Sequence, residues 1–441
     1  MSSSTVAILI TVFTMVLFFS NRLPMSVVAC MSSLSMGILI PEMKLSQIYS
    51  GFGSSAIVMV AGMCIVGDAL FQTGVAQKIG AKIAATAIAK NERLFIAVLV
   101  AICTAMSAFL SNSGTIAMWM PIIASIAAGS KGKIRSKMVI FPAGTACIVG
   151  GACTLVGSTS QNTANSILIG YAGFEEGLGV FEMSRVMAPL AVLQILFWAT
   201  IGYTLLEKTL KPGSPDFNKN NSFANPVYAS ESSDSSIPAW KGSLSVVVLV
   251  ACIVGFILTG IPPFKNYLNI ANVALLGATI LFASGCIPVK STLSQLPWDV
   301  LICIGAINGL GAGLDASGGG KIIADFVLNL FGGESASLIV LTVVITLLSS
   351  VLTLFMQNVS VAAILTPICI SMALNLSISP IPWVTVIAIG TNLAVATPIG
   401  TAVNMQILPA GYTFKDFLKI GGPLFLLMAA GVSIMSCLLY F

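Results

Sequence analysis

The chain has 441 residues, of which 57% are hydrophobic and only 8% are charged, and its mean hydropathy is +1.00. Because a soluble domain carries about 25% charged residues, this composition excludes an ordinary soluble protein and predicts a chain that crosses a membrane several times. The net charge of +5 is attributed to loops beside the membrane, not to a nucleic-acid surface.

Two side-chain types narrow the chemistry further. The chain has no histidine, which removes the commonest metal ligand and the commonest proton-transfer group. The ten cysteines include no Cys-x-x-Cys pair and are interpreted as small buried apolar residues.

Ten apolar segments have about the length that a membrane-spanning helix needs. They are residues 5–20, 23–40, 54–72, 137–158, 185–206, 243–262, 267–286, 297–315, 381–405 and 418–441. Two more apolar segments, 94–129 and 337–376, are each interrupted by polar residues, which predicts re-entrant helical hairpins. The sequence therefore predicts an all-α polytopic membrane protein with two inverted repeats, 1–206 and 242–441, each of five transmembrane helices plus one re-entrant hairpin.

The remaining segments are more polar. Residues 207–241 are rich in Ser, Asn and Pro and predict a flexible cytoplasmic linker between the repeats. In residues 74–92, apolar side chains recur at helical spacing and would form one face of a helix, with the lysines outside that face. This pattern predicts an amphipathic helix in the cytoplasmic interface. Residues 319–331 are its expected counterpart in the second repeat.

The charges predict the orientation of the chain in the membrane. If both termini lie outside and the linker lies in the cytoplasm, only Lys44, Arg185, Lys265 and Lys321 remain outside. The other sixteen of the twenty Lys and Arg residues are then cytoplasmic, as the positive-inside rule expects.

Four polar breaks are the candidate functional stretches. The hairpins are interrupted at residues 109–115 (FLSNSGT) and 355–360 (FMQNVS), and later breaks follow at residues 154–162 (TLVGSTSQN) and 397–404 (TPIGTAVN). We expect the four to meet near the bilayer midplane as a transport site. The helix that starts at each hairpin tip offers N–H groups and a positive dipole end to an anion, and the helix that ends there offers carbonyls to Na⁺. The alternative, that Ser-Asn-Ser only caps two helices, stays open.

Asp68 and Asp299 are the candidate proton carriers, because an intramembrane carboxylate is a functional candidate by default. Both also lie close to a predicted membrane boundary, so each could equally be an interfacial anchor.

Two Ser-Asn-type tips, each followed by a Thr-x-x-Gly break, resemble the divalent anion/sodium symporter family, the dicarboxylate, citrate and sulfate carriers of the ion transporter superfamily. Residues 150–157 (GGACTLVG) and 409–424 (PAGYTFKDFLKIGGPL) are also similar to that family. The resemblance covers nearly the whole chain except the linker, although the family usually has one more N-terminal helix.

The resemblance implies a secondary active transporter in the cell (inner) membrane that imports a small anion, a di- or tricarboxylate or similar, coupled to Na⁺. It also implies an elevator-type mechanism and a homodimer, with sodium ions, the anion and the lipid bilayer as partners. No cofactor is expected beyond Na⁺ as the coupling ion, and neither a nucleic-acid partner nor an enzymatic activity is expected.

The family's motifs imply particular site residues. One Na⁺ site would use Ser107, Ser111, Asn112 and Gly157, and the other would use Thr353, Asn358 and the backbone near Met356 and Ala396. The anion would contact the tips and the second break, at Ser111, Asn112, Ser113, Gln357, Asn358, Val359, Thr397 and Pro398. The family's tips are typically Ser-Asn-Thr, so Ser113 keeps a hydroxyl, whereas Gln357 and Val359 depart from the pattern and Val359 loses one.

Two other classes of function are alternatives to an anion symporter. A cation/proton antiporter with the same superfamily fold would need an essential titratable group, for which Asp68 is the candidate. A channel or a structural membrane protein needs no matched pair of tips.

Overall fold

The computed structural model describes residues 2–20, 22–75, 91–130, 133–211, 238–259, 264, 267–330, 337–398 and 400–441. All regular elements in these residues are helical. The helices of the first half are α1 Ser3–Ser20, α2 Met25–Leu39, α3 Ser55–Gln72, α4 Glu92–Ser107, α5 Asn112–Gly129, α6 Ser136–Gly151, α7 Thr159–Ile169, α8 Ser184–Ala199 and α9 Ile201–Leu210.

The second half follows a similar order. Its helices are α10 Ala239–Leu258, α11 Ile270–Ala283, α12 Val289–Ser294, α13 Trp298–Ala316, α14 Gly319–Leu330, α15 Leu338–Leu352, α16 Asn358–Asn375, α17 Ile381–Gly390, α18 Ala402–Ile407 and α19 Gly422–Tyr440. A helical turn at Phe414–Asp416 and a π-helical turn at Phe417–Gly421 lead into α19. By length and composition, five of the described helices could cross a membrane, or six if the bent pair α8–α9 is one span.

Two of the helix crossings between the halves depend on glycine. Helix α2 packs against α13, and α3 packs against α11. A Cβ added at Gly62 would lie 2.7 Å from the carbonyl carbon of Ala274, and one added at Gly309 would lie 2.8 Å from the Cβ of Ser33. Small residues of this kind let helix backbones approach closely within a bilayer. Glycine therefore permits a close contact between the halves at both crossings.

The predicted helices agree with the structure in their positions but not in all their ends. The prediction of continuous apolar spans over 137–158 and 381–405 is wrong, because α6 ends at Gly151 and α17 ends at Gly390. The predicted span 185–206 is bent by 47° between α8 and α9. The amphipathic helix predicted at 319–331 is present as α14, whereas most of its predicted counterpart at 74–92 lies outside the described residues.

The backbone of the second break explains why α17 can end so early. The side-chain nitrogen of Asn404 donates to the carbonyl oxygens of Ala394 at 2.6 Å and Thr397 at 2.7 Å. Asn392 Nδ2 donates to Ser160 Oγ on α7 at 3.0 Å. Because unsatisfied backbone groups are costly in a membrane, these amides stabilise a non-helical segment inside the protein.

Helices extend into both ends of the linker that the sequence predicts at residues 207–241. Helix α9 continues to Leu210 and α10 already begins at Ala239. Residues 212–237 lie outside the described part of the chain.

Candidate functional site

Each predicted hairpin consists of two half-helices that meet at a short tip. Helix α4 ends at Ser107 and α5 begins at Asn112, whereas α15 ends at Leu352 and α16 begins at Asn358. Ser111 caps α5, because its hydroxyl accepts a hydrogen bond of 3.0 Å from the Gly114 N–H. Gln357 occupies the corresponding capping position of α16. The tips therefore place the N-termini of α5 and α16 where the sequence predicts them.

Oxygen atoms converge at the first tip. Ser107 Oγ is buried and lies 2.7 Å from the Asn112 amide and 2.8 Å from Cys147 O. The amide atom of Asn112 that faces Ser107 also lies 3.0 Å from Gly157 O and 3.2 Å from Cys147 O. If that atom is nitrogen it donates to all of these oxygens, and if it is oxygen it completes a cluster of four oxygens that suits a cation.

The second tip repeats this geometry. Thr353 Oγ1 is buried and lies 2.7 Å from Asn358 Oδ1 and 2.8 Å from Thr391 O. Because a hydroxyl has one proton, it can donate to only one of these two oxygens. The other oxygen contact lacks a proton, and either a bound cation or a rotated Asn358 amide would relieve it.

One glycine in each break lets that break lie against its hairpin. A Cβ added at Gly157 would lie 2.8 Å from Ser107 O, and one added at Gly400 would lie 2.2 Å from Thr353 O. Real Cβ atoms do not approach backbone oxygens so closely, so both positions require glycine. The glycine of each Thr-x-x-Gly motif therefore lets the break lie directly against the end of the first half-helix.

The threonines of the two motifs have equivalent structural partners. Thr154 Oγ1 donates to Ala108 O, and Thr397 Oγ1 donates to Leu354 O. Each acceptor is the residue directly after Ser107 or Thr353. The hydroxyl of each motif thus fastens its break to its hairpin.

All four polar breaks border one cavity of about 500 Å³. The tips contribute Ser111, Asn112, Ser113, Gly114, Gln357, Asn358 and Val359, and the later breaks contribute Gly157, Ser158, Thr159, Gly400, Thr401, Ala402 and Val403. The N-termini of α5, α7 and α16 therefore lie at its wall, and each carries partial positive charge and free N–H groups. This arrangement suits an anion.

Another part of the cavity wall comes from helices outside the hairpins. Helix α3 contributes Met63, Cys64, Gly67, Asp68 and Phe71, and further lining residues are Met25, Thr292, Gln295, Leu296, Pro297 and Val300. Asp68 is the one charged side chain among the described residues that line the cavity.

Several predicted site residues lie behind the cavity instead of on its wall. Ser107 and Thr353 are buried beneath the tips, and Met356 and Ala396 are also buried. Thr397 and Pro398 are buried too, and neither borders the cavity. Thr401 lines it in their place.

The sequence reasoning missed the wall positions Ser158 and Thr401, which directly follow the two motif glycines. The Thr-x-x-Gly motif occurs in both breaks and is followed by a hydroxyl residue each time. This repetition was the signal in the sequence that could have indicated the two wall positions. For Asp68 the sequence left two interpretations, and the structure places it on the cavity wall. Asp299 instead accepts a hydrogen bond of 3.1 Å from the Ser26 N–H at the start of α2.

Comparison with known proteins gives the family. The profile of the CitMHS family, described as citrate transporter, matches residues 15–388 and 265–441. An uncharacterized transporter of Haemophilus influenzae is 28% identical over 93% of this chain and 86% of its own length. Sodium/sulfate cotransporter 1 of Chlamydomonas reinhardtii is 28% identical over 44% of this chain and 23% of its own.

The match to this chain covers only 23% to 31% of the length of several relatives. These proteins are therefore much longer than the matched region. Among solved structures, the YdaH transporter of Alcanivorax borkumensis aligns with a TM-score of 0.60 at 14% identity, over 89% of this chain and 86% of that one. This likeness supports the helical transporter fold.

The matched family and relatives are transporters, which agrees with the prediction that the chain is not an enzyme. Because the profile covers far more than half of its residues, this multi-pass membrane protein belongs to the CitMHS citrate transporter family.

Proposed function

We propose that the chain is a secondary active transporter that imports a small anion of the di- or tricarboxylate class together with Na⁺. The observation that carries this proposal is the repeated geometry of Ser107 with Asn112 and of Thr353 with Asn358, beside one cavity. A serine or threonine hydroxyl, an asparagine amide and a backbone carbonyl, Cys147 O or Thr391 O, recur in both places. Neutral oxygen ligands of this kind suit Na⁺ at the ends of interrupted helices.

The anion would bind in the cavity between these two cation sites. Helices α5, α7 and α16 direct their N-termini toward it, and the described wall contains hydroxyls and amides but no Lys or Arg. Partial charges and co-bound Na⁺ would therefore supply the attraction. Binding of Na⁺ would assist binding of the anion, which is the physical basis of coupled transport.

The sides of the cavity suggest how the transporter moves. One wall consists of hairpin tips and breaks, and the other consists of α3 and residues 292–300. We infer that the first wall is part of a mobile transport domain and that the second is part of a static scaffold, in an elevator-type alternating-access cycle. The two halves, residues 1–206 and 242–441, would then be inverted repeats, and the assembly would be a homodimer.

The orientation of the chain follows from its charges. With both termini outside and the linker cytoplasmic, the loops after α1 and α11 are cytoplasmic, and Met25 and Gln295 at their ends border the cavity. In that orientation the structure corresponds to an inward-facing state in the cell membrane.

Names of relatives support the substrate class at a coarse level. The family is described as citrate transporter, and relatives of Chlamydomonas reinhardtii are named sodium/sulfate cotransporters. The departures Gln357 and Val359 at the second tip bear on the choice among carboxylates and sulfate.

Uptake into proteoliposomes tests the proposal. Labelled succinate, citrate and sulfate are supplied with an inward Na⁺ gradient or with K⁺ in its place, using the wild type and an Asn112→Ala/Asn358→Ala variant. Saturable, Na⁺-dependent uptake of one anion by the wild type, lost in the variant, is expected. Absence of anion uptake by folded wild-type protein would contradict it.

A cation/proton antiporter is the second candidate, because Asp68 lines the same cavity. In that case the wild type would exchange Na⁺ for protons without any anion, and Asp68→Asn would abolish the exchange. An anion symporter would still transport with this substitution.

A further inference from the structure

We propose that Asp68 is a specificity-determining residue that disfavours more highly charged anions, so that the cavity prefers dianions to trianions. This inference rests on the proposed function, since it concerns the same cavity.

Asp68 lies on the face of α3 that borders the cavity. Cys64, Gly67 and Phe71, at one turn or less from it along the helix, border the cavity as well. The first hairpin tip lies beside this part of α3, since a Cβ added at Gly114 would lie 2.9 Å from Phe71 Cε2 and one added at Gly67 would lie 3.5 Å from Leu110 Cδ2. An anion held at this tip therefore shares the cavity with the carboxylate of Asp68.

The carboxylate is held in place by one amide. Gln72, one turn further along α3, donates from Nε2 to Asp68 Oδ2. The same nitrogen donates to Thr292 Oγ1 on α12 at 3.1 Å. Among the described residues, Asp68 Oδ1 has no hydrogen-bond partner, and no cationic side chain shares the cavity wall. An ionised Asp68 carboxylate is thus held in one position and is not neutralised by a described neighbour.

A fixed negative charge penalises each further charge on a bound anion. A cavity of 500 Å³ is about 10 Å across if it is roughly spherical, which is an upper bound on the separation between Asp68 and the anion. At about 10 Å each added negative charge weakens binding about twofold in a fully hydrated cavity and about fifteenfold where the local dielectric constant is near 20. Attraction by the helix N-termini and by Na⁺ holds the anion, and Asp68 limits how much charge it brings.

Four proteins test this inference: the wild type, Asp68→Asn, Asp68→Glu and Asp325→Asn. Asp325 lies on α14, is exposed and does not border the cavity, so it controls for the loss of one negative charge elsewhere. Apparent affinities for succinate, a dianion, and citrate, chiefly a trianion at pH 8, are measured by uptake into proteoliposomes at a fixed Na⁺ concentration. Thermal unfolding in detergent verifies that each variant is folded.

The expected result is a shift of about two- to fifteenfold in the citrate-to-succinate affinity ratio toward citrate in Asp68→Asn only. Asp68→Glu keeps the charge and should keep the wild-type ratio, as should Asp325→Asn. An unchanged ratio in folded Asp68→Asn would overturn the inference while leaving the proposed function intact. Loss of all anion uptake in folded Asp68→Asn would also overturn it, since a selecting residue is not essential. Absence of anion uptake in the wild type would instead contradict the proposed function itself.

Discussion

Thr353 Oγ1 lies 2.7 Å from Asn358 Oδ1 across the tip of the second hairpin, although its single proton is also within reach of Thr391 O at 2.8 Å. Ser107 has the same spacing to the Asn112 amide and to Cys147 O in the first hairpin. If the amide oxygens face the two hydroxyls, a cation at each tip would accommodate these contacts, whereas a rotated amide would satisfy them by hydrogen bonds. Binding of Na⁺ distinguishes the two arrangements.

Removal of either hydroxyl should weaken Na⁺ binding. Ser107→Ala and Thr353→Val each delete one oxygen of a cluster, and we expect the Na⁺ concentration for half-maximal uptake to rise about tenfold, because a contact to a charged group contributes about 1.5–3 kcal/mol. Uptake of the transported anion is measured against Na⁺ concentration. The matched controls are Ser107→Thr and Thr353→Ser, which exchange the two residues and retain the hydroxyl. Equal Na⁺ dependence in the alanine and threonine variants of Ser107 would contradict this role.

The motif glycines should not tolerate a side chain. Gly157→Ala and Gly400→Ala would force a Cβ to within 2.8 Å of Ser107 O and 2.2 Å of Thr353 O, so each break must move away from its hairpin. We expect transport to be lost and the unfolding temperature to fall. Gly53→Ala is the control, since a Cβ there meets no atom within 4 Å. If Gly157→Ala and Gly53→Ala transported equally well, the close approach would have no functional role.

A hydroxyl restored at the second tip should strengthen anion binding. Val359 lines the cavity at the position where the family resemblance noted in the sequence analysis implies a threonine. Val359→Thr keeps the shape of the side chain and adds a donor for a carboxylate, so we expect an apparent affinity about three- to tenfold higher. Val359→Ala changes the volume without adding a donor and should give no gain. A gain in the alanine variant would mean that space, not hydrogen bonding, limits the substrate.

The base of the first hairpin is fixed by an ion pair remote from the cavity. Glu92 is buried at the start of α4, and its carboxylate accepts hydrogen bonds from the Arg135 N–H at 2.7 Å and from Tyr203 OH at 2.9 Å. The hydrogen bond with Glu92 raises the pKa of Arg135 above its ordinary value, so the guanidinium stays charged. The cluster joins α4 to the start of α6 and to α9.

Loss of the Glu92 charge should therefore destabilise the protein. Glu92→Gln leaves the partly buried Arg135 with the more exposed Glu207, 3.6 Å away, as its carboxylate partner, and we expect the free energy of unfolding to fall by about 1–2 kcal/mol. Thermal unfolding in detergent measures the change. Glu42→Gln is the control, because Glu42 is exposed and its carboxylate accepts a hydrogen bond from the Ser3 hydroxyl. Equal unfolding temperatures for the two variants would contradict a stabilising role.

The hairpin tips were predictable from the sequence because polar residues inside an apolar segment are conspicuous. Ser111–Asn112 and Gln357–Asn358 lie at helix starts as predicted. The end of α17 was not predictable, since Leu393, Ala394 and Val395 are apolar and continue the hydrophobic pattern past Gly390. The chain leaves the helix there because Asn404, ten residues after Ala394, supplies hydrogen bonds to the free carbonyls. A contact of this kind depends on tertiary structure.

Helix α7 was missed for the opposite reason. Its sequence is polar, yet residues Ser160 to Leu168 are buried because its neighbours include α3, α13 and α16. Composition alone assigns such a segment to a loop. Likewise, Thr397 and Thr401 are chemically alike in the sequence, and only the structure separates the one that fastens the break from the one that lines the cavity.

Direct Na⁺ binding to the purified protein tests the central claim most directly. Radiolabelled Na⁺ is titrated onto the wild type, Ser107→Ala and Thr353→Val in K⁺ buffer, without any anion. Two saturable sites are expected in the wild type, and in each variant one of the two should bind Na⁺ about tenfold more weakly. No saturable Na⁺ binding to folded wild-type protein, or two sites of unchanged affinity in all three proteins, would contradict the assignment of the two oxygen clusters as sodium sites.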